Sequence, residues 1–273
     1  METRNKRVWG GNKLMELISK VPTDEELENY YLNLVLPPNS PWEPYQSTKD
    51  TLHSFTTQDW GDWNSYRFKL SIISSIIQSL ANEFDHDDEN PHSISSLDIG
   101  FGLGYYLMAL SQFTDVVYGV EINKYNLNYA QRCIDAIGKN RNIVLIYSSI
   151  RKTLPTFNAK INIILALDII EHLNDPFLFL QHIKNILDGY LIISVPLNEK
   201  KEFKDDFREN HGHIWSFTRN SIQKLLTDNG YIIDYLIEYD AKRFKPFNDC
   251  IIVAIKEGTN PPGYMEEQVD LYG

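Results

Sequence analysis

Residues 95–104 read S-S-L-D-I-G-F-G-L-G, a short apolar run that ends in a carboxylate and then in glycine at every second position. The spacing predicts a buried strand, a tight turn, and a helix running through Tyr105, Leu107, Met108 and Leu110. Gly100, Gly102 and Gly104 lack a Cβ, so the backbone there can bend sharply and approach a ligand closely. Asp98 stands at the strand end. The next apolar segment, Val116 to Val120, closes on Glu121, and a second acid about 20 residues past a glycine turn is where nucleotide folds bind ribose hydroxyls. A plain strand-to-helix turn is the bland alternative; turn, strand-end acid and second acid falling in one βαβ unit argue against it. A dinucleotide fold would want G-x-G-x-x-G, and Tyr105 stands where its last glycine belongs.

Outward from this stretch the chain alternates. Strands are expected at 95–99, 115–121, 143–147, 161–167, 190–195, 231–238 and 248–256, with helices at 65–84, 103–112, 124–138, 176–187 and 219–229. Gly138 reads as a helix stop, and Asp175-Pro176 as a cap and first turn. Such alternation predicts an α/β, doubly wound, Rossmann-like and mostly parallel sheet. No helix separates the last two strands, which should form an antiparallel hairpin. Residues 1–64 show no clear strand; short helices are expected at 13–19 and 24–34, the second capped by Thr23 or Asp24, followed by a proline-rich piece. We read 1–64 as a mainly helical cap over the ligand end of the sheet, 65–257 as the catalytic domain and 258–273 as a loose tail. Trp60, Trp63 and Tyr66 either line an acceptor pocket or pack the cap onto the body.

The D-x-G-x-G-x-G spacing of Asp98 to Gly104 resembles the first motif of class I S-adenosylmethionine-dependent methyltransferases. A second string, A-L-D-I-I-E-H-L-N-D-P at 166–176, is similar to the motif after the fourth strand in the group that includes ubiquinone-biosynthesis O-methyltransferases. A third match is H-G-H-I-W-S-F-T at 211–218, and the three span roughly residues 90 to 256. The resemblance implies a seven-stranded sheet with one reversed strand. It also implies a cofactor held by Asp98, Gly100, Phe101, Gly102, Gly104, Glu121, Ile122, Ser149, Ile150, Leu167 and Asp168. Ser149 departs from the acid often found at the adenine edge, although a hydroxyl can still meet adenine.

Asp168, Glu171 and His172 would share one face if they opened a helical turn. Two carboxylates with an imidazole suit a divalent ion such as Mg, Mn or Zn, and His213 or His211 could complete the set. That arrangement resembles the E-x-x-E-H site of small-RNA 3′-terminal 2′-O-methyltransferases, with Asp168 in place of the first Glu. The alternative is a scaffold in which the acids merely hold the histidines. Transfer to an alcohol needs a base, for which His213, His172 and His211 are candidates and Asp168 an orienting partner. The charged segment 198–210 is either a lid or a solvated loop.

Composition narrows the partners. A net charge of −11 disfavours extended nucleic acid, and Lys200, Lys201, Lys242, Arg243 and Lys245 are mixed with acids and aromatics. No apolar run approaches the ~20 residues of a membrane span. The first residues lack a signal-peptide core, and two cysteines make no disulfide framework, so a cytoplasmic setting is expected. The expected activity is O-methylation of a small-molecule hydroxyl on a sugar, phenol or natural product. The rivals are RNA 3′-end methylation with a divalent metal, and a non-catalytic cofactor-binding protein.

Overall fold

The computed structural model describes residues 15–17, 22–32, 61–85, 93–138, 142–198, 212–239, 248–259 and 261. Seven strands form the central sheet: β2 (Ser95–Ile99), β3 (Val116–Glu121), β4 (Ile143–Tyr147), β5 (Ile161–Leu167), β6 (Leu187–Leu197), β8 (Tyr231–Tyr239) and β9 (Asn248–Lys256). Their order is β4-β3-β2-β5-β6-β9-β8. All neighbouring pairs are parallel except those of β9, which runs against both β6 and β8. The expected single reversed strand is therefore β9. Strand order turns around at β2 and β5, and in such sheets ligands lie beyond the carboxyl ends at that reversal.

Both faces are covered, which is why the central strands read as continuous apolar runs rather than alternating ones. On β5, Ile163 and Leu165 pack with α2 (Gly61–Asp85) and α3 (Tyr105–Phe113) through Ile73, Ile77, Leu107 and Leu110. Ile164 and Ala166 pack on the opposite face with α6 (Pro176–Ile186) and α7 (Arg219–Asp228) through Leu180, Ile183, Ile222 and Leu225. The sequence-read signals act locally as expected. Asp175 Oδ1 accepts from Leu178 N at 2.9 Å, and Gly138 closes α4 (Lys124–Ile137) with φ 70°. No described helix is long and apolar enough to cross a membrane.

Two N-terminal expectations fare differently. Helix α1 (Asp24–Leu32) is present, opened by Thr23 Oγ1 accepting from Glu26 N at 3.2 Å while Glu26 Oε2 accepts from Thr23 N at 2.8 Å. The helix expected at 13–19 is not found at 15–17. Glu16–Leu17 instead forms β1, paired antiparallel with β7 (Trp215–Ser216). Backbone pairing to a distant segment overrides a short local helix preference, which is a weak term. Helix α2 begins at Gly61, a few residues before the expected boundary. The side chains of Trp60, Trp63 and Tyr66, residue His211 and the segment 199–210 lie outside the described residues.

Helix α1 lies over the carboxyl end of the sheet, held by loops that follow several strands. Asn123 Nδ2, after β3, donates to Tyr31 O at 3.0 Å. Lys152 Nζ in α5 (Ile150–Thr153), after β4, reaches Glu28 Oε2 at 2.8 Å, and Arg151 pairs with Asp24. Asn174, after β5, bonds Asp24 as well. Exposed ion pairs contribute little individually, so the helix depends on the set together with buried Leu27 packing on Ile214.

Candidate active site

The glycine turn is pinned to β3 before it meets any ligand. Gly100 N donates to Val120 O at 2.8 Å, and Gly104 N donates to Phe101 O at 2.9 Å. Gly100, Gly102 and Gly104 all adopt positive φ (66°, 54° and 85°), which is left-handed backbone that side chains resist. A Cβ on Gly100 would fall 2.3 Å from Ile169 Cδ1, and one on Gly104 2.7 Å from Ala130 Cβ. At Gly102 it would meet no atom of the described residues within 4 Å. That glycine therefore faces open space, and the space is a pocket of ≈ 310 Å³. Asp98, Gly100 to Leu103, Tyr105, Tyr106, Asn126, Leu167 and Asp168 line it.

Two acids sit beneath the turn. Glu121 is buried; its Oε2 accepts from Gly102 N at 2.9 Å and its Oε1 from Asn123 N at 2.7 Å. Burial raises its pKa, while these backbone donors pull the other way. Asp98 is 2% exposed, and its Oδ2 has no hydrogen-bond partner among the described residues. Burial first, and then the Glu121 charge, push Asp98 up to about 8. A buried acid with an orphaned oxygen on a pocket wall is the environment a ligand cation would complete.

The expected cofactor residues divide into three groups. Asp98, Gly100, Phe101, Gly102, Leu167 and Asp168 border the pocket directly. Gly104 shapes the turn from behind. Glu121, Ile122, Ser149 and Ile150 do not border it. Helix α1 is bonded to residues beside them: Asn123, Arg151 and Lys152. The Glu28 carboxyl is held below its ordinary value, chiefly by Lys152 and also by Ser149.

The strand-β5 motif folds otherwise than as one helical turn. Asp168 takes left-handed backbone at φ 54°, and a 3-10 turn follows at Ile170–His172. This break directs Asp168 away from its two neighbours in the motif. Lys69 Nζ of α2 lies 2.6 and 2.7 Å from its two carboxylate oxygens, and Ser194 Oγ donates to Oδ1 at 2.9 Å. Of the four expected metal ligands, three are brought together. Ligand atoms of Glu171, His172 and His213 lie within 4.8 Å of one another, and Asp168 is outside that group.

Backbone contacts assemble this second cluster. Ile214 N donates to Glu171 O at 2.8 Å, and Trp215 Nε1 to Leu173 O at 2.7 Å, tying segment 212–217 to the 3-10 turn. Glu171 is fully buried, and the His172 and His213 rings meet edge to face at 4.6 Å. Tyr31 of α1 completes it, its hydroxyl 2.8 Å from His172 Nδ1 and 3.4 Å from Gly212 O. Burial raises the Tyr31 pKa far above its ordinary value, so the hydroxyl stays protonated. If it donates to Gly212 O it accepts from Nδ1–H, which fixes the His172 tautomer with its proton on Nδ1.

Sequence reasoning missed Lys69 and Tyr31. Lys69 had a signal: it falls four residues before Ile73 and eleven before Leu80, on the apolar stripe of α2, where a charge needs a buried partner. Tyr31 follows buried Leu27 by four residues, so it shares the docked face of α1.

A family model described as a methyltransferase domain matches residues 63–236, well over half of the chain. No curated protein matches the sequence. Among solved structures, magnesium protoporphyrin IX methyltransferase from Synechocystis PCC 6803 superposes with a TM-score of 0.58 at 15% identity. The match covers 86% of this chain and 100% of that one. The cyclase SpnF gives 0.53 at 13% identity, covering 68% and 81% respectively. A methyltransferase-like protein from Bacillus halodurans C-125 gives 0.52 at 13%, covering 67% and 99%. At such identities the likeness is one of fold.

Proposed function

This chain belongs to the methyltransferase domain family; from that premise we propose that it uses S-adenosylmethionine to methylate a hydroxyl of a small-molecule acceptor such as a sugar, phenol or natural product. The observation that carries the reading is the pocket at Gly102: open space in front of a left-handed turn, with the orphaned Asp98 oxygen on its wall. Asp98 would face the ammonium of the cofactor's methionine end. Glu121 would share its carboxylate between the Gly102 N–H and the ribose. Ile122, Ser149 and Ile150 would meet the adenosine once α1 moves aside.

Because the sulfonium methyl is already activated, the residues chiefly align it; orientation supplies about 7–11 kcal/mol in such reactions. Proton removal from the acceptor falls to the histidine pair, with His172 oriented by Tyr31 and His213 stacked edge-on against it. A positioned base contributes about 10²–10⁴-fold.

Cofactor binding has a proton signature that tests the reading. The folded, ligand-free Asp98 titrates near 8 against an ordinary value of 3.8, so it stays protonated through neutral pH. The contribution of Asp98 to stability of the free protein therefore falls as pH rises from about 4 to 8, because the unfolded acid ionises first. A cation bound at Asp98 favours the carboxylate. Binding of S-adenosylhomocysteine should then release close to one proton at pH 6.5 and tighten as pH approaches 8. Calorimetry in buffers of contrasting ionisation enthalpy measures this, and no proton release would remove the ammonium from Asp98.

The second cluster also fits a divalent ion. One carboxylate and two imidazoles suit Zn, Mn or Fe better than Mg, which prefers oxygen ligands. The Tyr31 hydroxyl on Nδ1 is the kind of outer partner that orients a ligating imidazole. Glu171, His172 and His213 would be the ligands, and a bound ion would acidify the acceptor hydroxyl. The protein purified from metal-supplemented growth should carry one ion per chain by elemental mass spectrometry, and His213→Ala should lose it. Absence of metal in the parent would leave the histidines as base and orienting partner.

A further inference from the structure

The alignment and proton steps leave one costly arrangement unused, a lysine whose charge is withdrawn from water beside the pocket. Lys69 is 4% exposed, and both carboxylate oxygens of Asp168 lie within 2.7 Å of its Nζ. The pair is lopsided: the lysine side chain is 5% exposed and the aspartate side chain 43%. Desolvating a lysine to meet a half-solvated acid is a poor route to stability. Asp168 adds strain of its own, as a non-glycine residue at φ 54°. Its backbone is held there by its N–H donating to Ser194 O at 3.0 Å, and its side chain by Ser194 Oγ. Strain retained where surrounding bonds over-determine it points to function. The carboxylate so fixed belongs to a residue of the pocket wall, which Leu167 and the glycine turn also line.

We propose that Lys69 is a specificity-determining residue: it cancels the Asp168 charge on the acceptor side of the pocket, so that the site takes a neutral hydroxyl and discriminates against a protonated amine. The inference rests on the cofactor and acceptor reading of this pocket. An isolated carboxylate in a partly dry wall attracts ammonium groups strongly. A bound ammonium has no lone pair to offer the methyl group, so it would occupy the site unproductively. With Lys69 paired to it, Asp168 can still accept a hydrogen bond from a hydroxyl but no longer presents a net charge. Lys69 touches neither ligand in this scheme; it acts through Asp168.

Two small probes test this without knowledge of the acceptor. One is S-adenosylhomocysteine. The other is its analogue in which a carbon bearing a primary amine replaces the sulfur, so that a cation occupies the place of the departing methyl. Calorimetry at pH 7 and low salt gives the ratio of the two dissociation constants. Lys69→Met should shift that ratio toward the ammonium compound by about tenfold. Lys69→Arg, which keeps the charge, should stay within about twofold of the parent, and Asp168→Asn should shift the ratio the opposite way. An unchanged ratio in Lys69→Met, or an equal shift in Lys69→Arg, overturns the proposal. Should Lys69→Met fail to fold, Asp168→Asn decides: a drop in ammonium preference supports the proposal and no change overturns it. If the parent binds neither probe, the cofactor reading itself fails, and that result is distinct from binding without discrimination.

Discussion

Replacing Glu121 with alanine is expected to weaken S-adenosylhomocysteine binding by at least about 100-fold while the sheet remains folded. The carboxylate sits at the carboxyl end of β3 and joins two backbone donors, Gly102 N–H at 2.9 Å and Asn123 N–H at 2.7 Å. It thus links the glycine turn to the start of α4. Hydrogen bonds to a charged group contribute about 1.5–3 kcal/mol each. On the proposed ribose role, losing two bonds of that kind removes about 3 kcal/mol or more, and every 1.4 kcal/mol is tenfold. The turn also loses its anchor from below, so part of the effect is loosening of Gly102. Glu121→Gln keeps an acceptor oxygen and should fall between alanine and the parent. Titration calorimetry beside a thermal melt separates binding from folding. Affinity within threefold of the parent, in a folded Glu121→Ala protein, would remove the cofactor assignment.

Valine at position 102 and alanine at position 104 should part company in the same two assays. Each glycine has positive φ, so each substitution costs about 1–2 kcal/mol of backbone strain, and more for a β-branched residue. Their surroundings differ. A side chain at 102 enters empty pocket, whereas a Cβ at 104 arrives 2.7 Å from Ala130 Cβ, where α3 meets α4. Gly102→Val should therefore abolish measurable binding with a modest drop in melting temperature. Gly104→Ala should lower the melting temperature more than strain alone would, because two packed helices must separate. Equal melting behaviour with equal binding in the two variants would contradict the pocket geometry.

Most of the sheet was legible because burial on two faces writes itself as continuous runs of Ile, Leu and Val. Residues 163–167 and 250–255 are apolar runs of this kind, and they lie in strands Ile161–Leu167 and Asn248–Lys256, which have the expected bounds. The turn at 100–104 was legible for a different reason: only glycine tolerates all three of those φ values at little cost. The misreadings share one cause, long-range pairing. Glu16–Leu17 is a strand because Trp215–Ser216 lies beside it, some 200 residues away in sequence. Asp168 leaves the expected helical face because Lys69 and Ser194 take its carboxylate. Glu171 and His172 come together with His213, one of the two distant histidines the sequence offered, through a 3-10 turn and a backbone bond from Ile214. The Tyr31 contact to His172 joins residues 141 apart, which no local pattern could reveal.

Helix α1 grips the loops after β3 and β4 through Asp24, Glu28 and the Tyr31 carbonyl, and His172 through the Tyr31 hydroxyl. All of these belong to one nine-residue rod. As one rod it cannot leave those loops while Tyr31 stays on the imidazole; on the proposed cofactor placement, they carry the adenosine. Exchange of spent nucleoside for fresh would thus coincide with slackening of the proton-handling residues, and methyl donor and acceptor chemistry would come into readiness by a single docking movement.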